Sequence, residues 1–118
     1  EIKLDGAIII STPQEIALQD VKRGIKMFEK LGVNIIGLVD NMSYFIGDDG
    51  KKYQIFGDGG VKRTAEEFNQ NFLCEIPLDP EVGKFGDLGK PIVEKNIDSK
   101  TSKIYLELAE KIKVKYSI

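Results

Sequence analysis

The chain has 118 residues, a net charge of −2 and 42% hydrophobic residues, which suits one compact domain and disfavours nucleic-acid binding because there is no basic excess. It contains no histidine and one cysteine, Cys74, which excludes imidazole catalysis, intrachain disulfides and sites built from several thiols. The apolar stretches are too short to span a bilayer, so we expect no membrane span. Since the sequence begins with Glu1 rather than Met, we expect it to be a piece of a longer polypeptide.

The first third of the chain has the pattern of a βαβ unit. The continuous apolar run 7–10 is typical of a parallel strand buried on both faces. We predict that Thr12 caps the following helix, with Pro13 at its first position, and that Gly32 ends it. Residues 34–40 predict a second buried strand, reached by a right-handed crossover.

The remainder predicts a hairpin followed by a second strand and helices. The Gly- and Asp-rich excursion 44–60 predicts a hairpin that turns at Asp49-Gly50, and long excursions of this kind are often functional. The later predicted elements are a helix over 61–70, a strand over 72–76, a helix start at Asp79-Pro80, a loose stretch to Pro91 and a closing helix over 98–115. The closing helix has an apolar stripe of Ile104, Tyr105, Leu108, Ala109 and Ile112. Three parallel strands leave at least one sheet edge unpaired, and we expect the missing N-terminal part to cover it.

Ligands of open parallel sheets bind outside the carboxyl ends of the strands. The three segments that follow the predicted strands are residues 11–14, 40–43 and 77–79. We expect all three to line one edge. An Asn amide offers a donor and an acceptor that match the N6 and N7 edge of adenine, so Asn41 is the leading candidate for base recognition. The alternative is that Asn41 caps the strand end, and that Thr12 and Asp79 merely cap helices.

The sequence contains no recognisable phosphate cradle. The P-loop pattern is absent, because Gly89-Lys90 is followed by Pro91 and has Lys84 in place of the first glycine. The glycine cluster 57–60 follows the hairpin rather than a core strand, and we interpret it as a turn. Phosphate binding is therefore not encoded in these residues.

The other reactive side chains have simpler explanations. Asp48-Asp49 lacks the spacing of a calcium loop and is interpreted as a solvated hairpin tip. Nothing implies burial or convergence of Glu66-Glu67 or of the pair Asp79 and Glu81. Cys74 lies in an apolar strand, where cysteine behaves as a small hydrophobe. We therefore predict no catalytic residue and no metal ligand in this chain.

Five segments, in order and spacing, resemble the C-terminal half of the Mrp (ApbC) family of P-loop ATPases, relatives of MinD and ParA. They are DGAIIISTPQ (5–14), NMSYF (41–45), IFGDGG (55–60), EIPLDP (75–80) and GKPIV (89–93). The resemblance implies an α/β fold with a doubly wound, mostly parallel sheet of the P-loop NTPase type. It also implies that residues 1–118 form the C-terminal part of a single ATPase domain whose Walker A half lies outside this chain.

The resemblance implies a cytoplasmic, homodimeric ATPase that binds ATP and Mg²⁺ and carries or assembles iron–sulfur clusters for apoprotein clients. By the family's pattern, Asn41 reads adenine, while Pro77, Leu78 and Asp79 form the wall of the base pocket. The phosphates and Mg²⁺ would be bound by the N-terminal half. We therefore expect the 118-residue chain alone not to hydrolyse ATP.

One departure concerns the iron–sulfur cluster. Many members carry a Cys-x-x-Cys pair just after the Asn-Met-Ser-Tyr-Phe motif, but residues 46–50 read IGDDG. Cluster binding in the usual manner is therefore not expected, and Cys74 cannot substitute because it is predicted to point at the core. Either this branch of the family acts without a bridging cluster, or it supplies other ligands. Two alternatives stay open. One is a MinD- or ParA-like positioning ATPase that acts through partners and surfaces. A basic amphipathic membrane helix would favour it, and Lys111, Lys113 and Lys115 are a hint of one. The other is a non-enzymatic α/β interaction module.

Overall fold

The computed structural model describes residues 4–116 and has an α/β fold. A parallel sheet contains β1 (Ala7–Ser11), β2 (Ile35–Asp40) and β5 (Phe72–Glu75), in the order β1-β2-β5. A separate antiparallel hairpin contains β3 (Phe45–Ile46) and β4 (Lys52–Tyr53). The helices are α1 (Glu15–Leu31), α2 (Gly60–Glu67), α3 (Pro80–Asp87), α4 (Ile92–Lys95) and α5 (Lys100–Tyr116). The predicted α/β class and the three parallel strands are confirmed.

Helices α1 and α2 cover one face of the sheet and form the apolar core with it. The buried cluster contains Leu18, Val21, Ile25, Ile35, Leu38, Val61 and Ala65. All six residues of β2 are buried, as the continuous apolar run predicts. The same prediction is wrong for the end of β1, where Ile10 is 60% exposed. Helix α5 packs against β5 instead, and so leaves this end of β1 open.

The start of α1 differs from the prediction. The helix begins at Glu15 with Gln14 at the N-cap position, and the Thr12 hydroxyl donates to the Gln14 side-chain oxygen (3.2 Å) instead of capping the helix. Pro13 lies outside the helix, with its carbonyl oxygen against Gly57: a Cβ at Gly57 would meet that oxygen at 2.6 Å. This close approach joins the strand-to-helix connection to the end of the hairpin segment. The prediction that Gly32 ends α1 is confirmed, since Gly32 has a φ of 72°.

The hairpin turns where the sequence predicts, although its strands are only two residues long. Gly50 has a φ of 77°, and Asp49 accepts hydrogen bonds from the Lys51 backbone N–H (2.9 Å) and from the Tyr53 hydroxyl. Asp48 and Asp49 are exposed, which confirms the solvated tip. The hairpin is therefore closed by hydrogen bonds of its own residues.

The C-terminal region is more helical than predicted. Asp79 caps α3, accepting from the Glu81 N–H (3.0 Å) with Pro80 in the first turn, as the sequence indicates. The prediction of a loose stretch after Asp79-Pro80 is wrong, because α3 continues through Gly83 and Gly86 to Asp87 and the short α4 follows. A Cβ at either glycine would meet no atom within 4 Å, so these glycines are not required by close packing.

Helix α5 closes the described part of the chain. Its buried residues are Thr101 and Ser102 in the first turn, while the predicted apolar stripe is only half-buried and Ala109 is exposed. Near the other end, the Lys111 ammonium donates to the Leu73 carbonyl of β5 (2.6 Å). No helix within residues 4–116 combines the length and apolarity needed to cross a bilayer.

Candidate functional site

The three parallel strands end side by side, as predicted. The Asn41 N–H donates to the Ser11 carbonyl (2.7 Å), and the Ile76 N–H donates to the Asp40 carbonyl (2.7 Å). These bonds continue the sheet one residue beyond its strands. The segments that follow the strands are therefore brought to one edge.

A cavity of about 340 Å³ opens at this edge, and the four residues predicted to contact the base all line it. They are Asn41, Pro77, Leu78 and Asp79. The other lining residues are Met42, Ile76, Pro80, Val82, Gly83 and Tyr105. Ser11 and Thr12 line a different cavity, next to α1. Two of the three strand-end segments thus share one cavity, which we call the base cavity.

Asn41 begins the sharp turn that leaves β2. Its backbone is tied to Ser11, and the next residue, Met42, has a φ of 52°, in the left-handed region that non-glycine residues seldom adopt. The Asn41 side chain is half-buried, and no group within residues 4–116 is hydrogen-bonded to its amide. The amide therefore keeps its two donors and its acceptor free for a ligand.

The opposite wall of the cavity is held by backbone and capping bonds. The Ile76 carbonyl accepts from the Ser43 N–H (2.9 Å), and the Leu78 N–H donates to the Tyr44 carbonyl (2.7 Å). Asp79 uses both carboxylate oxygens within the protein, one for the Glu81 N–H and the other for the Thr101 hydroxyl (2.7 Å). Asp79 therefore shapes the wall and joins it to α5, and it does cap a helix, as the simpler interpretation expects.

Directly before Asn41 lies a carboxyl group that the sequence analysis did not single out. Asp40 is completely buried, and neither of its carboxyl oxygens has a hydrogen-bonding partner in the described residues. Its pKa is raised from 3.8 to about 6, mainly by burial and to a smaller extent by the charge of Glu75, while the Ser43 hydroxyl and the Lys52 ammonium act in the opposite direction. The sequence feature that points to a buried carboxyl here is an acidic residue in the last position of a buried apolar strand.

The thiol and the acidic pairs do not form a site. Cys74 is half-buried beside α5 rather than in the core, and burial raises the pKa of its thiol. Glu66 and Glu67 are exposed, as predicted. Within residues 4–116 there is no group of three or more His, Cys, Asp or Glu side chains that could hold a metal ion.

Comparisons with known proteins agree on the type of protein. Residues 1–113 match the family model of the ParA type described as NUBPL iron-transfer P-loop NTPase. The chain is 41% identical over 110 residues to the iron-sulfur cluster carrier protein of Aquifex aeolicus. The aligned region covers 92% of this chain and 30% of that protein.

Two solved structures have the same fold. The nucleotide-binding protein of Archaeoglobus fulgidus, solved in complex with ADP, superposes with a TM-score of 0.64 at 37% identity, over 73% of this chain and 36% of that one. The cell division ATPase MinD of Pyrococcus furiosus gives a TM-score of 0.71 at 24% identity, over 92% of this chain and 42% of that one, and shows likeness of fold alone. The chain spans about a third of the length of the curated relatives that it matches.

Proposed function

Because the chain belongs to the ParA-type family of NUBPL iron-transfer P-loop NTPases, we propose that it supplies the base-binding side of an ATP site in an iron–sulfur cluster carrier. The observation that carries the proposal is the meeting of Asn41, Pro77, Leu78 and Asp79 around one cavity, beside an amide with no partner in the described residues.

The base cavity suits a purine ring. Its volume of about 340 Å³ lies at the small end of ligand sites, which favours the base of a nucleotide over a whole nucleotide. Apolar walls from Pro77 and Leu78 offer surfaces against which a flat ring packs, and the Asn41 amide offers the polar contact that fixes its orientation. Asp79 acts indirectly, since its oxygens are engaged by Glu81 and Thr101.

We propose that the chain is the C-terminal part of a single ATPase domain. The matched relatives are about three times as long, and the sequence contains no P-loop pattern for the phosphates. In this proposal, residues outside the chain bind the phosphates and Mg²⁺. The bound Mg²⁺ would polarise the phosphates for hydrolysis. The residues of this chain bind and orient the base, so the chain alone does not hydrolyse ATP.

The iron–sulfur cluster is cargo in this proposal, and the described residues do not fit it. The chain offers one thiol, and burial raises the pKa of that thiol and so disfavours the thiolate that ligates iron. Cluster binding through a Cys-x-x-Cys pair after the Asn41 motif has no counterpart, because residues 46–50 contain no cysteine. We assign no cluster ligand to this chain.

We further propose a cytoplasmic homodimer that serves apoprotein clients, with the hairpin as its contact surface. The hairpin segment exposes large apolar side chains at Ile46, Tyr53 and Ile55, and exposed apolar groups that cluster mark interaction surfaces. Light scattering of the full-length protein, with and without ATP, measures the oligomeric state. A monomer under both conditions contradicts the dimer.

A membrane-positioning ATPase of the MinD type has less support. At 24% identity, the likeness to MinD concerns the fold alone. Lys111, one of the three lysines that hinted at a membrane surface, donates to the Leu73 carbonyl and thus faces the sheet. The interaction-module alternative is also weaker, because the family is that of P-loop NTPases.

The proposal is tested by Asn41→Ala in the full-length protein. We expect ATP affinity to fall by about 1 to 2 kcal/mol, or roughly 5- to 30-fold, since the variant loses the hydrogen bonds to the base edge. Isothermal titration calorimetry measures the change. The matched control is Asn34→Ala, because exposed Asn34 lies before the opposite end of β2. Equal ATP affinity of the Asn41 variant and the wild type would contradict the base assignment.

A further inference from the structure

A second and larger cavity lies behind the base cavity. It has a volume of about 580 Å³ and lies between α3, α4 and α5. Its walls are largely apolar and include Pro91, Ile92, Val93 and Leu106. Nothing in the proposed binding of adenine accounts for this space.

Two apolar side chains belong to both cavities, Val82 of α3 and Tyr105 of α5. Tyr105 contributes the one aromatic ring among the residues that line the base cavity. It is half-buried, and burial raises the pKa of its hydroxyl, so that the group stays neutral. No hydrogen bond to this hydroxyl forms within residues 4–116. The ring is therefore held without a hydrogen bond of its own.

The helix that carries Tyr105 is anchored to the base cavity one turn earlier. Thr101 lies four residues before Tyr105 and so on the same face of α5, and its hydroxyl donates to Asp79 (2.7 Å) in the cavity wall. The neighbouring Ser102 hydroxyl donates to the Asn96 carbonyl (2.6 Å), and the Ile92 carbonyl lies at 3.1 Å as the alternative or shared acceptor of the same proton. These buried bonds fix the first turn of α5 against α4 and the wall, and thereby fix the position of the ring.

We propose that Tyr105 is a specificity-determining residue that closes the back of the base cavity and restricts the site to purine nucleotides without a bulky substituent on the base. The inference rests on the proposed function, because it takes the base cavity as the adenine site. Loss of the ring joins the two cavities, and the larger one then accepts an aryl group attached to adenine.

The experiment compares ATP with N6-benzyl-ATP and 2-benzylthio-ATP, whose added groups leave the base at two positions remote from the ribose. Dissociation constants are measured by calorimetry for the full-length wild type and for Tyr105→Ala. In the wild type, we expect at least one of the analogues to bind at least about tenfold more weakly than ATP, because its aryl group clashes with the ring. In Tyr105→Ala, the ratio should shift by about tenfold or more in favour of at least one analogue.

Three further variants make the result decisive. Tyr105→Phe keeps the ring and should keep the wild-type preference for ATP. Leu106→Ala is the matched control, since Leu106 lines the larger cavity and not the base cavity; its preference should also be unchanged. Tyr105→Leu keeps apolar bulk, and it should give a smaller shift in the same direction if the alanine variant does not fold.

The possible failures are separable. In a folded Tyr105 variant that binds ATP, the affinity ratio of analogue to ATP could shift by less than about threefold for both analogues. That result overturns the proposal that Tyr105 separates the two cavities, and it leaves the base site intact. A loss of discrimination in Tyr105→Phe or in Leu106→Ala also overturns it, because the ring would then not be what excludes the analogue. Unchanged ATP affinity in Asn41→Ala, by contrast, removes the base site itself.

Discussion

The two faces of the parallel sheet are packed to very different degrees. On the face covered by α1 and α2, Leu18, Val21 and Ile25 interlock with strand residues such as Leu38, and several of these side chains are fully buried. On the side covered by α5, Leu106 is 45% exposed, and two cavities open between the helices. One face is thus a conventional core, and the other has room for a ligand.

The difference shows which forces hold each side. The α1 and α2 face is held by burial of apolar side chains. The free energy that this burial contributes is roughly proportional to the apolar area removed from water. Helix α5 is held at its first turn by hydroxyl groups, through Thr101 to Asp79 and through Ser102 to Asn96 and Ile92. Directional bonds position a helix without filling the space beside it, so a cavity persists where the base is proposed to bind.

The largest expected effect separates the two faces. Leu38→Ala removes a fully buried side chain from the core cluster, and we expect it to lower the free energy of unfolding by about 3 kcal/mol through lost burial and the cavity left behind. The matched change Leu106→Ala, on the open face, should cost less than about 1 kcal/mol because that side chain is already half exposed. Urea unfolding of both variants measures the difference. Equal losses would show that the α5 face is as tightly packed as the other.

The packed face was the more predictable one from sequence. The continuous apolar run of β2 and the periodicity of α1 are signals of burial that do not depend on distant residues, and both elements form within two residues of their predicted bounds. The Thr12 cap failed because a tertiary contact, between the Pro13 carbonyl and Gly57, sets where the chain enters the helix. Short-range signals do not contain that contact.

The second expected effect has the opposite sign and depends on pH. Asp40→Asn should stabilise the protein at pH 7 to 8 by about 2 to 3 kcal/mol, since the pKa of Asp40 is raised from 3.8 to about 6, mainly by burial, and the charged form is penalised in the folded state. A raised carboxyl pKa favours folding while the group is protonated, and this contribution is lost as the pH rises through 6. The gain should therefore shrink toward zero near pH 4.

Urea unfolding of wild type and Asp40→Asn from pH 4 to pH 8 measures this dependence. Glu75→Gln is the informative companion, because Glu75 also raises the pKa of Asp40. Removal of the Glu75 charge should lower the pKa of Asp40. The stability of Glu75→Gln should therefore depend less on pH than that of the wild type, but more than that of Asp40→Asn. A stability difference between Asp40→Asn and wild type that is constant across this range contradicts a buried, titrating carboxyl.

The lining of the base cavity was only partly predictable from the sequence. Asn41 and the segment Pro77, Leu78 and Asp79 follow two adjacent parallel strands, so topology alone predicts that they meet, and they do line one cavity. Tyr105 was predicted only as part of an apolar helix stripe. Its place in the cavity wall depends on how α5 is held against α4 and the wall by the Thr101 and Ser102 hydroxyls, and no local pattern encodes these contacts.

The smallest expected effect tests the anchor between the base cavity and α5. Asp79→Ala removes the acceptor of both the Glu81 N–H at the start of α3 and the Thr101 hydroxyl, and we expect it to lower the free energy of unfolding by about 1 kcal/mol. Asp79→Asn keeps an acceptor oxygen and should cost less. A double-mutant cycle with Thr101→Val isolates the bond between the two residues, because coupled partners give a non-additive loss. If the two losses simply add, the bond between Asp79 and Thr101 does not hold α5 in place, and the position of Tyr105 behind the base cavity must then depend on other contacts of α5, such as those of Ser102 and Lys111.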